Sequence, residues 1–387
     1  MIAIDTASLT DTLRALVRIN SINPSLDPSG PGEAGIAAYV ASRLESLGLD
    51  VATHEPVAGR PSVVARLAGR GGGRSLMLNA HVDTVGVAGM ADPFSAEIRD
   101  GRLYGRGAYD MKGSLAACMG AIEALVQAGV RPKGDVLLAA VADEEHASLG
   151  TYDVAARYPV DGAIVTEPTA LDLCVAHKGF AWIEVITQGR AAHGSRPDLG
   201  VDANLRMGRV LARLEQLASA LETREPHPLL GAGSVHAATI AGGTGLSTYA
   251  AECRLGIERR TLPRESAEEV EAEIRAILDA LGAEDPSFQA TMRVLLTRPA
   301  FEARDGSGLA RTLAEAAATV AGRAPRVRGE TAWMDSAILA ATGADTVVFG
   351  PAGAGAHAAE EWVDLDSVTR TARILAETVV AYCGTDG

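Results

Sequence analysis

The chain alternates between short, uninterrupted apolar runs and longer stretches with a single apolar face. Over residues 33–48, Ile36, Val40, Leu44 and Leu47 share one side of a helix, and Gly48 is suited to end it. Apolar runs at 62–68 and 75–80 predict buried strands. A helix over 112–128 follows, with Leu115, Met119, Ile122 and Val126 in one stripe. "DVLLAAV" (135–141) and "GAIV" (162–165) predict further strands. Fully apolar strands between helices indicate a sheet covered on both faces. "GRGGG" (69–73) reads as a hairpin turn; it lacks the Lys-Ser/Thr pair of a phosphate cradle.

The period changes in the middle of the chain. "FAWIEVITQG" (180–189) alternates, as a strand with one exposed face does. An amphipathic helix over 201–221, strands at 235–240 and 249–259, a helix over 266–281 and a strand at 289–297 follow. This β-α-β-β-α-β order is the ferredoxin-like arrangement. It predicts an inserted domain over 179–294 between two parts of a catalytic domain, 1–178 and 295–387. The α/β pattern resumes with a helix at 306–321, a strand at 345–350 and a helix at 365–382.

Composition narrows the function. A length of 387 residues allows two domains and a large core. A net charge of -14 with no basic patch argues against nucleic acid. Cys118, Cys174, Cys253 and Cys383 are far apart and form no CxxC pair, which predicts reduced thiols. The N-terminal residues lack a basic stretch followed by an apolar run, and no run of about 18 apolar residues occurs. The expectation is a cytoplasmic protein without a membrane span.

Five places put a metal-ligating residue at the end of an apolar strand or on the loop after it. They are His81 and Asp83 in "NAHVDTV", Asp110 in "GRGAYDMKG", Glu144 and Glu145 in "VADEEHASLG", Glu167 in "IVTEPT" and His357 in "GPAGAGAHAAEE". Each is weak alone, since a strand-end His or an acidic loop is commonly structural. In an open α/β sheet, however, the carboxyl ends of the strands form one crevice. Two His and three carboxylates suit two zinc-like ions, one carboxylate bridging both. One carboxylate then remains as general base for a water. Asp83 fits the carboxylate that orients a ligating imidazole.

These motifs, with "HKGFAW", "AAHGSRPDLGVDA" and "ERRTLP", resemble the dinuclear-zinc hydrolases that include acetylornithine deacetylase, succinyl-diaminopimelate desuccinylase, aminoacylase and glutamate carboxypeptidase. The resemblance covers nearly the whole chain. It implies a zinc-peptidase-like mixed sheet flanked by helices, with the inserted domain as lid and homodimer surface. It implies that His81, Asp110 and Glu167 hold one ion, and Asp110, Glu145 and His357 the other. Zinc is implied, with cobalt and manganese as alternatives. Asp83 orients His81, Glu144 is the general base, and a cis peptide follows Asp110. His193 stabilises the oxyanion in the partner subunit's site. Arg260 grips a substrate carboxylate; Arg259 competes for that role, but the spacing to Pro263 favours Arg260. Ser247 and Ala250 stand where the family often has an Asn and then a Pro, which makes Ser247 the candidate substrate contact there. "HGS" replaces the commoner His-Ser-Ser, and Glu360 stands where an Asp is usual.

The implied reaction is hydrolysis of an amide in a small N-acyl amino acid or dipeptide with a free carboxylate. The deacetylase and desuccinylase branch is favoured; a glutamate-type carboxypeptidase is the alternative. A non-catalytic binder would be expected to have lost the base or a ligand. The chain has no GxSxG elbow, no HExxH and no Cys in a recognisable nucleophile setting.

Overall fold

The computed structural model describes residues 1–385. The chain forms two compact units. The first comprises Met1–Val175, Ala303–Arg328 and the chain from Met334 onward; the second comprises Ala176–Glu302 and Gly329–Trp333.

The first unit is built on a mixed sheet. In spatial order it runs through Asp50–His54, Ser62–Leu67, Val136–Val141, Leu76–His81, Gly162–Val165, Asp345–Val348 and then Leu173–His177, a strand whose last two residues are counted with the second unit. The four strands Val136–Val141, Leu76–His81, Gly162–Val165 and Asp345–Val348 are mutually parallel. Every residue in these four strands is buried, as uninterrupted apolar runs require. Burying each of their Leu, Val and Ile side chains contributes roughly 1.5–3 kcal/mol, so the strand ends are firmly held. The helix Gly113–Gln127 is buried along most of its length and packs against the helices Thr6–Arg18 and Leu365–Cys383. Thr6–Arg18 is capped by the Asp5 carboxylate, which accepts the N–H groups of Ala7 and Ser8. A small antiparallel sheet of Gly353–Ala354, Trp362–Asp364, Arg102–Tyr104 and Glu97–Arg99 lies in the same unit.

The glycine-rich segment 69–73 is not a hairpin turn. The strands on either side of it, Ser62–Leu67 and Leu76–His81, do not pair with each other; both flank Val136–Val141. The segment runs instead against residues 132–135, with Arg70 N–H on the Pro132 carbonyl and Gly71 N–H on the Lys133 carbonyl. A Cβ at Gly69 would lie 2.5 Å from the Gly134 backbone. Close backbone approach therefore explains this glycine.

The second unit is a four-stranded antiparallel sheet in the order Ser234–Gly242, Glu252–Thr261, Gly179–Gln188, Ala290–Arg298, with the helices Ala203–Thr223 and Ala267–Glu284. This is the predicted ferredoxin-like order. Burial alternates along Gly179–Gln188. Ile183, Val185, Leu255 and Ile257 meet Val210, Leu214, Val270 and Ile274 in its core. Ser266 and Glu269 close a capping box at the start of the second helix. All four cysteines are buried, and no disulfide joins them. No helix among the described residues is long and apolar enough to cross a membrane.

Candidate metal centre

The parallel register explains how distant residues meet. His81 is the last residue of its strand and pairs level with Val141, so the loop carrying Glu144 and Glu145 leaves the sheet beside it. Asn79 pairs with Val165, which puts His81 level with Glu167 two residues further on. Asp110 lies in the turn that enters the helix Gly113–Gln127, and its peptide bond to Met111 is cis, as the family resemblance implies. His357 lies on the loop after the short strand Gly353–Ala354, with its backbone in the left-handed region at φ 61°. That conformation costs a non-glycine residue roughly 1 kcal/mol.

His81 Nε2 lies 3.1 Å from Asp110 Oδ1 and 3.6 Å from Glu167 Oε1. His357 Nε2 lies 3.0 Å from Glu145 Oε2 and 3.4 Å from Asp110 Oδ2. Asp110 therefore stands between the two imidazoles, one oxygen toward each. One donor atom from each of His81, Glu144 and Glu167 falls within a mutual 4.8 Å, and so does one from each of His81, Asp110 and Glu145. The Glu144 carboxylate therefore lies next to the His81 and Glu167 donor atoms. His81 is buried and His357 is exposed, so the cluster runs from a closed floor to an open rim.

Asp83 differs in detail from the expectation. The nearest partner of His81 Nδ1 is the Asp83 main-chain carbonyl at 2.9 Å; the carboxylate is 3.5 Å away. The Asp83 carboxylate instead accepts the N–H groups of Glu144 (3.1 Å) and Glu145 (3.3 Å) and the Asn23 amide (2.8 Å). One short segment therefore both orients the imidazole and anchors the acidic loop.

The electrostatics follow from burial and crowding. Burial, then the neighbouring Glu167 charge, pushes Glu144 well above the usual carboxylate range. Burial and the charges of Asp110 and Glu145 do the same to Glu167. Burial opposes charge on Asp110, but bonds to His357 and His81 hold it low. Burial opposes charge on His81 as well, and the Asp110 and Asp83 contacts outweigh it. His357 is raised to about 10 by Asp110 and Glu145. Even with both imidazoles protonated, the carboxylates of Asp83, Asp110, Glu144, Glu145 and Glu167 remain in excess. Glu145 Oε1 is buried with no hydrogen-bond partner. A buried acceptor left without a donor costs about 1–3 kcal/mol. Excess anionic oxygens, two imidazoles and an unpartnered acceptor fit divalent cations.

Several residues of the site carried no signal in the sequence. Arg60 is buried and joins Glu33 (2.6 Å) to Asp143 (2.6 Å), the residue before Glu144. Asn23 bridges Asp83 and Asp143. Asp335 accepts the Thr151 hydroxyl on one oxygen, while the other is buried without a partner; burial lifts its carboxyl to about 6. Each is a lone polar residue whose meaning is made by distant partners.

The remaining candidates lie in the second unit. His193 is exposed, and its Nδ1 accepts the Ser195 N–H at 3.2 Å. In the neutral ring the proton is then on Nε2. Ser247 is exposed, and its carbonyl accepts the Gly194 N–H at 2.7 Å, holding the turn beside His193. Arg259 is fully buried, with Nε on Glu273 (3.1 Å) and Nη2 on Glu265 (2.5 Å). Arg260 is half-buried; its Nε donates to Glu258 at 2.6 Å, and its guanidinium lies 5.2 Å from the Phe180 ring centre.

Comparison with known proteins shows the family of the chain. Residues 77–381 match the peptidase family M20/M25/M40. An acetylornithine deacetylase from Myxococcus xanthus is 32% identical over 97% of this chain and 98% of its own length. An N-formyl-4-amino-5-aminomethyl-2-methylpyrimidine deformylase from Bacillus subtilis is 27% identical over 92% of this chain and 91% of its own length. Among solved structures, a dinuclear metal-binding peptidase of the M20 family from Bacillus subtilis superimposes with a TM-score of 0.76 at 16% identity, covering 97% of this chain and 98% of that one. The chain belongs to the M20/M25/M40 peptidase family and is a metal-dependent hydrolase.

Proposed function

We propose that the chain hydrolyses the amide bond of a small N-acyl amino acid or dipeptide with a free carboxylate, in the manner of an acetylornithine deacetylase. The observation that carries the reading is the ligand cluster itself, with Asp110 set between His81 and His357. The deacetylase relative, alike over its whole length, supports the acyl amino acid.

His81, Asp110 and Glu167 would hold one divalent ion, and Asp110, Glu145 and His357 a second; zinc suits this donor set, with cobalt or manganese as alternatives. Ions there would supply Lewis acidity, polarising the scissile carbonyl and acidifying the attacking water. Glu144 would take the proton of that water and return it to the leaving nitrogen. Burial raises its proton affinity, which suits a group that must both take and return a proton. His193, contributed across a homodimer, would donate its Nε2–H to the developing oxyanion. Arg260 would hold the substrate carboxylate, since Arg259 is fully buried between Glu265 and Glu273, whereas Arg260, bonded to Glu258 alone among the described carboxylates, reaches solvent. Ser247 would contact the substrate beside His193.

The homodimer would form through the second unit. Its edge strand Ser234–Gly242 is exposed along almost its whole length, with Ile240 half-exposed and Leu205 and Leu246 strongly exposed nearby in sequence or fold. An open edge of this kind is a template for pairing with another copy. Unbridged buried cysteines suit a cytoplasmic location.

The test is a substrate panel on the zinc- and cobalt-loaded protein: N-acetyl-ornithine, N-succinyl-diaminopimelate, other N-acyl amino acids, dipeptides and an N-formyl aminopyrimidine. Glu144→Ala is the blank. Turnover of acyl amino acids that disappears in the blank is expected. Turnover of the aminopyrimidine alone, which lacks the carboxylate, would overturn the substrate class.

A further inference from the structure

The loops that carry Asp110 and His357 are tied to one buried ion pair. Pairing of Trp362–Asp364 with Arg102–Tyr104 sets Trp362 opposite Tyr104 and brings the Glu361 carbonyl to the Gly105 N–H at 3.0 Å. The Glu361 side chain is 1% exposed and enters the turn before Asp110. Its Oε1 accepts the N–H groups of Tyr109 (2.9 Å) and Asp110 (3.0 Å). Its Oε2 accepts the Gly107 N–H (3.0 Å) and Arg106 Nη1 (2.6 Å). Arg106 is buried too. It gives Nε to the Gly86 carbonyl and Nη2 to the Ala358 carbonyl, each at 3.0 Å.

This one pair therefore joins three loops: the one after His81, the one bearing Asp110 and the one bearing His357. Neither Arg106 nor Glu361 belongs to the ligand cluster. His357 holds a left-handed backbone conformation, and the bond from Arg106 to the next residue's carbonyl restrains it. His81 and Glu167 have a separate support in the paired strands of the sheet.

We propose that Arg106 and Glu361 are a positioning pair that fixes Asp110 relative to His357, and so sets the affinity for the ion shared by Asp110, Glu145 and His357. The proposal rests on the two-ion reading above. It makes the dependence unequal: both ions share Asp110, which Glu361 holds, but only the second also takes His357, beside which Arg106 is bonded, so that ion should lose more.

Two variants test it. Glu361→Gln keeps the size but, turned either way, aims an amide NH2 at two N–H donors. Arg106→Lys keeps the charge but loses the planar fork that reaches Gly86, Glu361 and Ala358 together. Chelator-stripped wild type and both variants are titrated with zinc by calorimetry and with cobalt by visible absorption. Circular dichroism melting of the ion-free proteins checks the fold, and Arg106→Lys stands in if Glu361→Gln does not fold. Wild type should bind two ions. Each variant should bind one ion about 10–100-fold more weakly and the other with a clearly smaller loss, so that one part of the cobalt spectrum appears only at higher concentration. A folded variant that binds both ions as wild type does, or weakens both equally, overturns the proposal. Wild type binding fewer than two ions would show that the two-ion reading has failed, and the proposal falls with it.

Discussion

Each unit buries a cluster of charge, and the two clusters are built in opposite ways. In the second unit, Arg259 is enclosed by Glu265 and Glu273, and Arg224 reaches the same two carboxylates from the surface. Two cations meet two anions, and the buried guanidinium is engaged on all three nitrogens. In the first unit, two imidazoles face five carboxylates, and a Glu145 oxygen has no donor at all. Burial of charge is common to both, so burial does not mark function. The balance does. A cluster that closes on itself holds a fold together, whereas one left with excess anionic oxygen is completed by something outside the chain.

Substitutions should separate the two. Glu144→Ala is expected to give the largest effect, lowering kcat by about 10²–10⁴-fold with two ions still bound by elemental analysis. Substantial residual turnover would remove Glu144 from the role of base. Arg259→Met should act on stability instead. It leaves Glu265 and Glu273 with only the half-exposed Arg224, and since both carboxylates reach solvent, the loss should be about 2–3 kcal/mol in urea denaturation. Zinc stoichiometry should not change. A loss under about 0.5 kcal/mol, the ordinary range for a surface substitution, would show that the Arg259 cluster does not hold the fold.

A smaller effect distinguishes the clusters by pH. In the ion-free protein His357 titrates at about 10, raised by Asp110 and Glu145 above its ordinary 6.5. A raised imidazole stabilises the folded state fully below about pH 6.5 and loses that contribution as the pH climbs through about 10. Metal ligation needs the neutral ring, so protons compete with zinc over the same window. The rise in Tm on adding zinc should therefore widen from pH 6.5 toward pH 10. A rise that stays constant or shrinks across that window would contradict the assignment of His357.

How much of this was legible in the sequence depends on how local the cause is. His81 and Glu167 could be read because each closes or closely follows an uninterrupted apolar run, and parallel register brings such positions together. The ferredoxin-like order was legible because its two periods, of strand and of helix, change where the elements change. Arg106, Glu361, Arg60 and Asn23 were not, because the charged groups they pair with lie 27 to 255 residues away in the chain. Glu360 and Glu361 show the difficulty: they are adjacent acidic residues, yet the first is exposed and the second buried. Only the pairing of Trp362 with Tyr104 decides which one turns inward. The glycine run 69–73 misled for a related reason. Its glycines answer to the 132–135 backbone rather than to a turn of their own.

The most direct test of the central claim is a crystal structure of the zinc-loaded protein with anomalous data at the zinc absorption edge. The account predicts two peaks, one about 2.0–2.2 Å from donor atoms of His81 and Glu167, the other at that distance from His357 and Glu145, with an Asp110 oxygen on each. A single peak, or zinc bound away from these five residues, would contradict it.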